Sequence, residues 1–257
     1  MIHQAKNLIK FLRQSKNQHG VHSPFVYELV TRCFKDRKKY SAYRILKAYR
    51  KALHGDSSAI EVVDKGQGSR IFKDPTRKIS AIHKKVGMKK NRQKLLFRIA
   101  KYLECETILE FGTSLGLGTL PLALSNEFTF VHTVEACGNT AKTAENYFSK
   151  FGLSNIKVHQ QTFKEFLPTN PKEKYDLIFI DGDHNGERTV GYFHSLLAHV
   201  HNNSVIIFDD IYWSQAMTEA WENIRSDGRV TVSIDTFQWG LVFFRKELTK
   251  QHFVIRV

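Results

Sequence analysis

The chain has 257 residues, 42% of them apolar and 12% aromatic, and 39 Lys and Arg against 25 Asp and Glu give a formal net charge of +14. That composition supports a large core and excludes wholesale disorder, while three cysteines without metal or redox spacing exclude a disulfide framework and imply reduced thiols in a cytoplasmic protein. No apolar run is long enough to span a bilayer, and the charge-broken N-terminal stretch lacks the apolar core of a signal peptide.

The charge is unevenly placed. Residues 1–100 hold 25 basic and 6 acidic side chains, a net of +19, whereas residues 101–257 hold 14 and 19, a net of −5. This divides the chain into a basic, mostly helical N-terminal extension, residues 1–100, and a body, residues 101–257. Within residues 2–13, Ile2, Ala5, Leu8, Ile9 and Leu12 recur at helical spacing, with Lys6, Lys10 and Arg13 elsewhere on the wheel. Ser23-Pro24 opens a second helix through Val26, Leu29, Val30 and Phe34. A third begins near Ser41, carries Ile45, Leu46, Tyr49 and Leu53, and stops at Gly55. Arg44, Lys47, Arg50 and Lys51 lie mostly off its apolar stripe, as a solvated face or a surface for a polyanion. Residues 61–78 contain Asp64-x-Gly66-x-Gly68-Ser69, but no helix follows to bind a phosphate, so the segment reads as flexible, a candidate lid. Helical periodicity resumes over residues 89–103.

The body alternates strands and helices. Thr107–Phe111, Phe130–Val134, Ile156–His159, Leu177–Ile180 and Val205–Phe208 are strand-like, with helical patterns between and after them. Val230–Phe237 and Gly240–Phe244 then form an antiparallel hairpin. The expected architecture is α/β and Rossmann-like: a mostly parallel, seven-stranded sheet ending in that hairpin, as in class I methyltransferases that use S-adenosylmethionine (SAM).

The chemistry concentrates after the first of these strands. In Glu110-Phe111-Gly112-Thr113-Ser114-Leu115-Gly116, the glycines let a ligand approach the backbone, and the following helix start offers N–H groups to an anion. Glu135, closing the next strand, is placed to accept the two hydroxyls of a ribose. The glycine spacing also fits short-chain dehydrogenases, but the only Tyr-x-x-x-Lys pair, Tyr43 and Lys47, lies upstream of the loop. Asp181, Asp183, His184, Asp209 and Asp210 follow the fourth and fifth strands, where a parallel sheet gathers ligands. His194, His199 and His201 read as surface positions, His19 and His22 flank a helix start, and Trp213, Trp221 and Trp239 read as core, with Tyr212-Trp213 also able to wall an aromatic acceptor.

These motifs, Leu109-Glu110-Phe111-Gly112 through Gly116, Glu135, Asp181-Gly182-Asp183-His184 and Asp209-Asp210, resemble those of metal-dependent catechol- and caffeoyl-CoA-type O-methyltransferases over residues 90–245. The resemblance implies a SAM-dependent enzyme that methylates a small hydroxylated acceptor. It assigns SAM to Glu110, Gly112, Thr113, Ser114, Gly116, Glu135 and Asp181, with Thr162 or Phe163 at the adenine. It assigns a divalent ion, Mg²⁺ or else Mn²⁺ or Ca²⁺, to Asp181, Asp209 and Asp210, with Asp181 and His184 catalytic. Two departures stand out: Asp210 replaces the family's Asn, and His184 its Lys base. Two other readings stay open, an RNA methyltransferase that holds tRNA or rRNA through the basic extension and a non-catalytic nucleotide-fold adaptor. The helical extension could also mediate a homodimer.

Overall fold

A computed structural model describes residues 2–17, 20–64, 72–169 and 173–257. Helices α1 (Ile2–Gln14), α2 (Pro24–Glu28, continued by a π-helical stretch Leu29–Phe34) and α3 (Ala42–Gly55) come first. A short hairpin, β1 (Ala59–Glu61) and β2 (Thr76–Lys78), precedes α4 (Ile79–Lys85) and α5 (Lys90–Tyr102). The alternating body is β3 (Thr107–Phe111), α6 (Thr119–Ala123), β4 (Phe130–Val134), α7 (Gly138–Lys150), β5 (Ile156–His159), α8 (Phe163–Thr169), β6 (Leu177–Ile180), α9 (Gly186–Leu196), β7 (Val205–Asp209) and α10 (Gln215–Ser226). Strands β8 (Val232–Asp235), β9 (Trp239–Phe243) and β10 (Gln251–Val254) complete it. No helix among the described residues is long and apolar enough to cross a membrane.

The chain forms two compact units, one of residues 36–169 and one of residues 1–35 with 170–257. In the first, β3, β4 and β5 pair in parallel, in register from Phe111 to Val134 to His159. Ile108, Leu109 and Phe111 are wholly buried, which suits a strand covered on both faces. Helices α3 and α5 from the basic extension belong to this unit. Leu46, Tyr49, Leu53, Leu96 and Ile99 bury their apolar stripes, while Arg44, Lys47 and Lys51 are solvated and Arg50 is half-buried. Hairpin β1–β2 was not foreseen. Its described residues dock on the start of α7: Asn139 Nδ2 donates to Glu61 O at 2.9 Å, and Val63 N lies 3.4 Å from Cys137 Sγ. Residues 65–71 of the expected flexible segment lie outside the described residues, as does His19.

In the second unit, β6 and β7 are parallel, β7 and β9 antiparallel, β9 and β8 antiparallel, and β8 and β10 parallel. The terminal hairpin is therefore β8–β9. Among the described residues the body has eight strands, β3 to β10, where seven were expected: the four residues of β10, Gln251–Val254, are too few to announce themselves by alternation. Trp221 and Trp239 are core, as their surroundings in sequence suggested. His199 is buried rather than exposed, bonded through Nδ1 to Glu173 O at 2.9 Å. All three cysteines are buried and outside any disulfide.

Candidate functional site

The glycine loop after β3 is built from three left-handed turns. Gly112 has φ 102°, Ser114 48° and Gly116 71°. Gly112 N donates to Val134 O at 3.0 Å and Gly116 N to Thr113 O at 2.8 Å, so the loop folds back over the ends of β3 and β4. Thr113 is buried with its hydroxyl 2.6 Å from that of Thr133. The helix that follows, α6, has only five residues and so a weak dipole, and the Gly112, Thr113, Ser114 and Gly116 amides are themselves bonded to Val134 O, Glu135 and Thr113 O.

Two carboxylates stand beside this loop. Glu135 accepts Ser114 N on Oε2 at 3.0 Å and Cys137 N on Oε1 at 2.9 Å, which fixes it between the loop and the start of α7. Burial raises its pKa and the backbone amides oppose that rise. Glu110 is wholly buried. Its Oε2 receives the Thr119 hydroxyl at 2.5 Å and the Thr133 hydroxyl at 2.6 Å, while Oε1 has no hydrogen-bond partner. Burial pushes this carboxyl up to about 7 against the pull of the two hydroxyls. A buried oxygen left without a donor costs free energy that a ligand N–H would recover. These residues therefore fit a cofactor with a cationic amino-acid end and a ribose.

The support for this loop comes from helices that the sequence placed in a separate extension. Tyr49 on α3 donates its hydroxyl to Leu115 O at 2.9 Å, and Gln93 on α5 donates Nε2 to Leu117 O at 2.8 Å. Arg50 Nη1 reaches Gln93 Oε1 at 3.1 Å and Met88 O at 2.6 Å. Tyr147 on α7 packs edge-on to Tyr49 and donates to Asp56 Oδ2 at 2.6 Å. A hydroxyl on an otherwise apolar stripe was the available signal at Tyr49. Removing it as Tyr49→Phe should leave Leu115 O unsatisfied and cost about 1–3 kcal/mol of stability, read by urea denaturation. Thr162 caps α8 in a reciprocal box with Glu165, and Phe163 stacks on Phe111 at 4.5 Å between centroids.

The acidic loops belong to the other unit. Parallel pairing sets Ile180 opposite Phe208, so Asp181 and Asp209 follow on adjacent strands. Asp209 is buried and accepts Asp210 N on Oδ1 at 2.8 Å, and Asp210 is left-handed at φ 51°. Asp183 holds Arg188 through two 2.5 Å bonds and Tyr192 OH at 2.9 Å, which makes it a structural anchor. His184 is half-buried, its ring 5.6 Å from that of Trp213. Tyr212, expected with Trp213 as a wall for an aromatic acceptor, donates to Asp235 at 2.5 Å and stacks on Phe237. Among the described residues no three His, Cys, Asp or Glu side chains are gathered to hold a metal ion, so the expected set of Asp181, Asp209 and Asp210 is not assembled.

Comparison with known proteins gives the class. Residues 109–211 match a family model described as a methyltransferase domain. Residues 109–211 are thus similar to a methyltransferase domain, and the fold is that of the class I methyltransferases. A methyltransferase of Podospora anserina solved with SAH has a TM-score of 0.59 at 15% identity, covering 87% of this chain and 97% of that one. The O-methyltransferase TomG of Streptomyces achromogenes, solved with SAM and involved in tomaymycin synthesis, has 0.57 at 16%, covering 80% and 91%. A Bacillus cereus O-methyltransferase in complex with SAH has 0.54 at 18%, covering 85% and 96%. No curated protein matches the chain.

Proposed function

We propose that the protein is a cytoplasmic, SAM-dependent O-methyltransferase acting on a small hydroxylated acceptor. The observation that carries this reading is the pair of acids around the glycine loop: Glu135, fixed by two backbone amides, and Glu110, buried with one oxygen unpartnered. When bound, SAM supplies an electrophilic methyl on a sulfonium. Glu135 accepts the ribose hydroxyls, the glycine turns of Gly112–Gly116 let the amino-acid end approach the backbone, and Glu110 offers its free oxygen to the cationic group there. Thr162 and Phe163 are assigned to the adenine side. His184 takes the proton of the acceptor hydroxyl, a general-base role open to an imidazole. Asp181 is kept as a polar neighbour of that step, and no step is assigned to a metal.

Calorimetry with SAM tests the reading. The unsubstituted chain should bind, and Glu135→Ala should weaken binding at least about a hundred-fold, the worth of two hydrogen bonds to a charged acceptor. His184→Ala should leave SAM binding intact and lower kcat by about a hundred-fold or more with a catechol-type acceptor. A folded protein that ignores SAM overturns the proposal.

A further inference from the structure

Helix α1 buries the face opposite to the one its sequence recommends. Phe11 alone is buried, packing against Phe237 at 5.6 Å, while His3 meets the Thr218 hydroxyl at 2.9 Å and Asn7 bonds back to His3. The apolar stripe faces solvent: Ile2 is 76% exposed, Leu8 40%, Ile9 52% and Leu12 45%, with Ala5 exposed among them. At about 3.6 residues per turn, Lys6, Lys10 and Arg13 run along one border of that stripe, all exposed, and exposed Lys16 follows. The helix thus has three lengthwise strips: polar-aromatic to the protein, apolar to solvent, cationic between them. Arg256 ties its end down by donating to Leu12 O at 3.2 Å and Ser15 Oγ at 3.1 Å, so the presentation is fixed.

An apolar strip held outward signals something that covers it. Charge and area identify what. No acidic residue precedes Glu28, so a second copy pressed symmetrically on this face would set Lys6, Lys10 and Arg13 against the same cations. The helix is also only about 20 Å long, and one such face falls well short of the about 800 Å² that a stable interface takes from each partner. A negatively charged lipid surface supplies both missing elements, hydrocarbon for the stripe and anionic headgroups for the lysines. We infer that α1 is an interfacial membrane-docking helix: it lies in the plane of an anionic bilayer with Ile2, Leu8, Ile9 and Leu12 in the headgroup–acyl boundary and Lys6, Lys10, Arg13 and Lys16 on the headgroups. This does not depend on the proposed methyl transfer.

The test is sedimentation of the full chain with vesicles of phosphatidylcholine and phosphatidylglycerol in equal parts, against pure phosphatidylcholine. The anionic vesicles should carry the protein down, with binding weakened by salt and roughly five-fold for each cation neutralised in Lys6→Gln and Lys10→Gln. Ile9→Glu with Leu12→Glu should abolish it without moving the thermal midpoint, because both side chains are exposed. Failure to bind the anionic vesicles overturns the inference, as does equal binding of the Glu variant. Concentration-dependent dimers in analytical ultracentrifugation that Ile9→Glu abolishes would assign the stripe to a second copy instead.

Discussion

Gly116→Ala should destabilise the protein by roughly 2–5 kcal/mol and abolish SAM binding. Two independent costs add here. Gly116 sits at φ 71°, a left-handed turn that costs a residue with a Cβ roughly 1–2 kcal/mol. The space is also occupied: a Cβ would stand 2.4 Å from Phe148 Cε1 and 2.7 Å from the Tyr49 hydroxyl oxygen, and forcing a methyl into a packed interior costs about 1–3 kcal/mol more. Neither neighbour moves freely. Tyr49 is held by Leu115 O, and Phe148 lies buried beside its ring. Relief therefore comes from shifting the loop, which displaces the Ser114 amide from Glu135 and so couples the packing defect to the ligand site. Denaturation in urea measures the first effect and calorimetry the second. A variant that keeps both full stability and SAM affinity would show that the loop relaxes elsewhere. As a contrast, Gly152→Ala carries the backbone cost alone, since φ is 69° but nothing lies within 4 Å of the new methyl, and SAM binding should be unchanged.

The body of the fold was legible because the strands from β3 to β7 are short apolar or alternating stretches between polar or glycine-bearing loops, and the hairpin β8–β9 has turn residues between two β-rich stretches. The glycine loop and Glu135 were legible for the same reason: local geometry that only certain residues allow, at a fixed distance along the chain. What the sequence hid depends on tertiary choice. Periodicity showed that α1 has an apolar stripe but could not say that His3, Asn7 and Phe11, and not the stripe, face the protein. Composition split the chain at residue 100, yet Tyr49, Arg50 and Gln93 are built into the glycine loop's support, so part of the basic extension's polarity serves internal hydrogen bonds. The acidic loops show the opposite limit. Five candidates share the right strand ends, but Asp183 is committed to Arg188 and Tyr192, partners that spacing alone does not reveal.

Glu110 should make folding stability and cofactor affinity respond to pH in opposite directions. Its carboxyl moves from an ordinary value of 4.5 to about 7 in the folded chain because it is wholly buried. Between those values the native state retains a proton that the unfolded chain has released. The contribution of this group to stability is therefore complete below about pH 4.5 and lost as pH rises through about 7, a change on the order of 3 kcal/mol. Ligand binding reverses the preference. A cofactor with net positive charge favours the ionised carboxylate, so SAM should bind more tightly as pH rises from 6 to 8 and release a proton on binding near pH 7. Calorimetry in two buffers of different ionisation enthalpy reads that proton directly. Glu110→Gln keeps one acceptor oxygen for the Thr119 and Thr133 hydroxyls but cannot ionise. It should flatten the pH dependence of stability between 5 and 8, remove the proton release, and weaken SAM binding most at the alkaline end. Proton release that persists in Glu110→Gln would move the titrating group elsewhere, with Glu135, whose own pKa is raised by burial, as the next carboxylate to substitute.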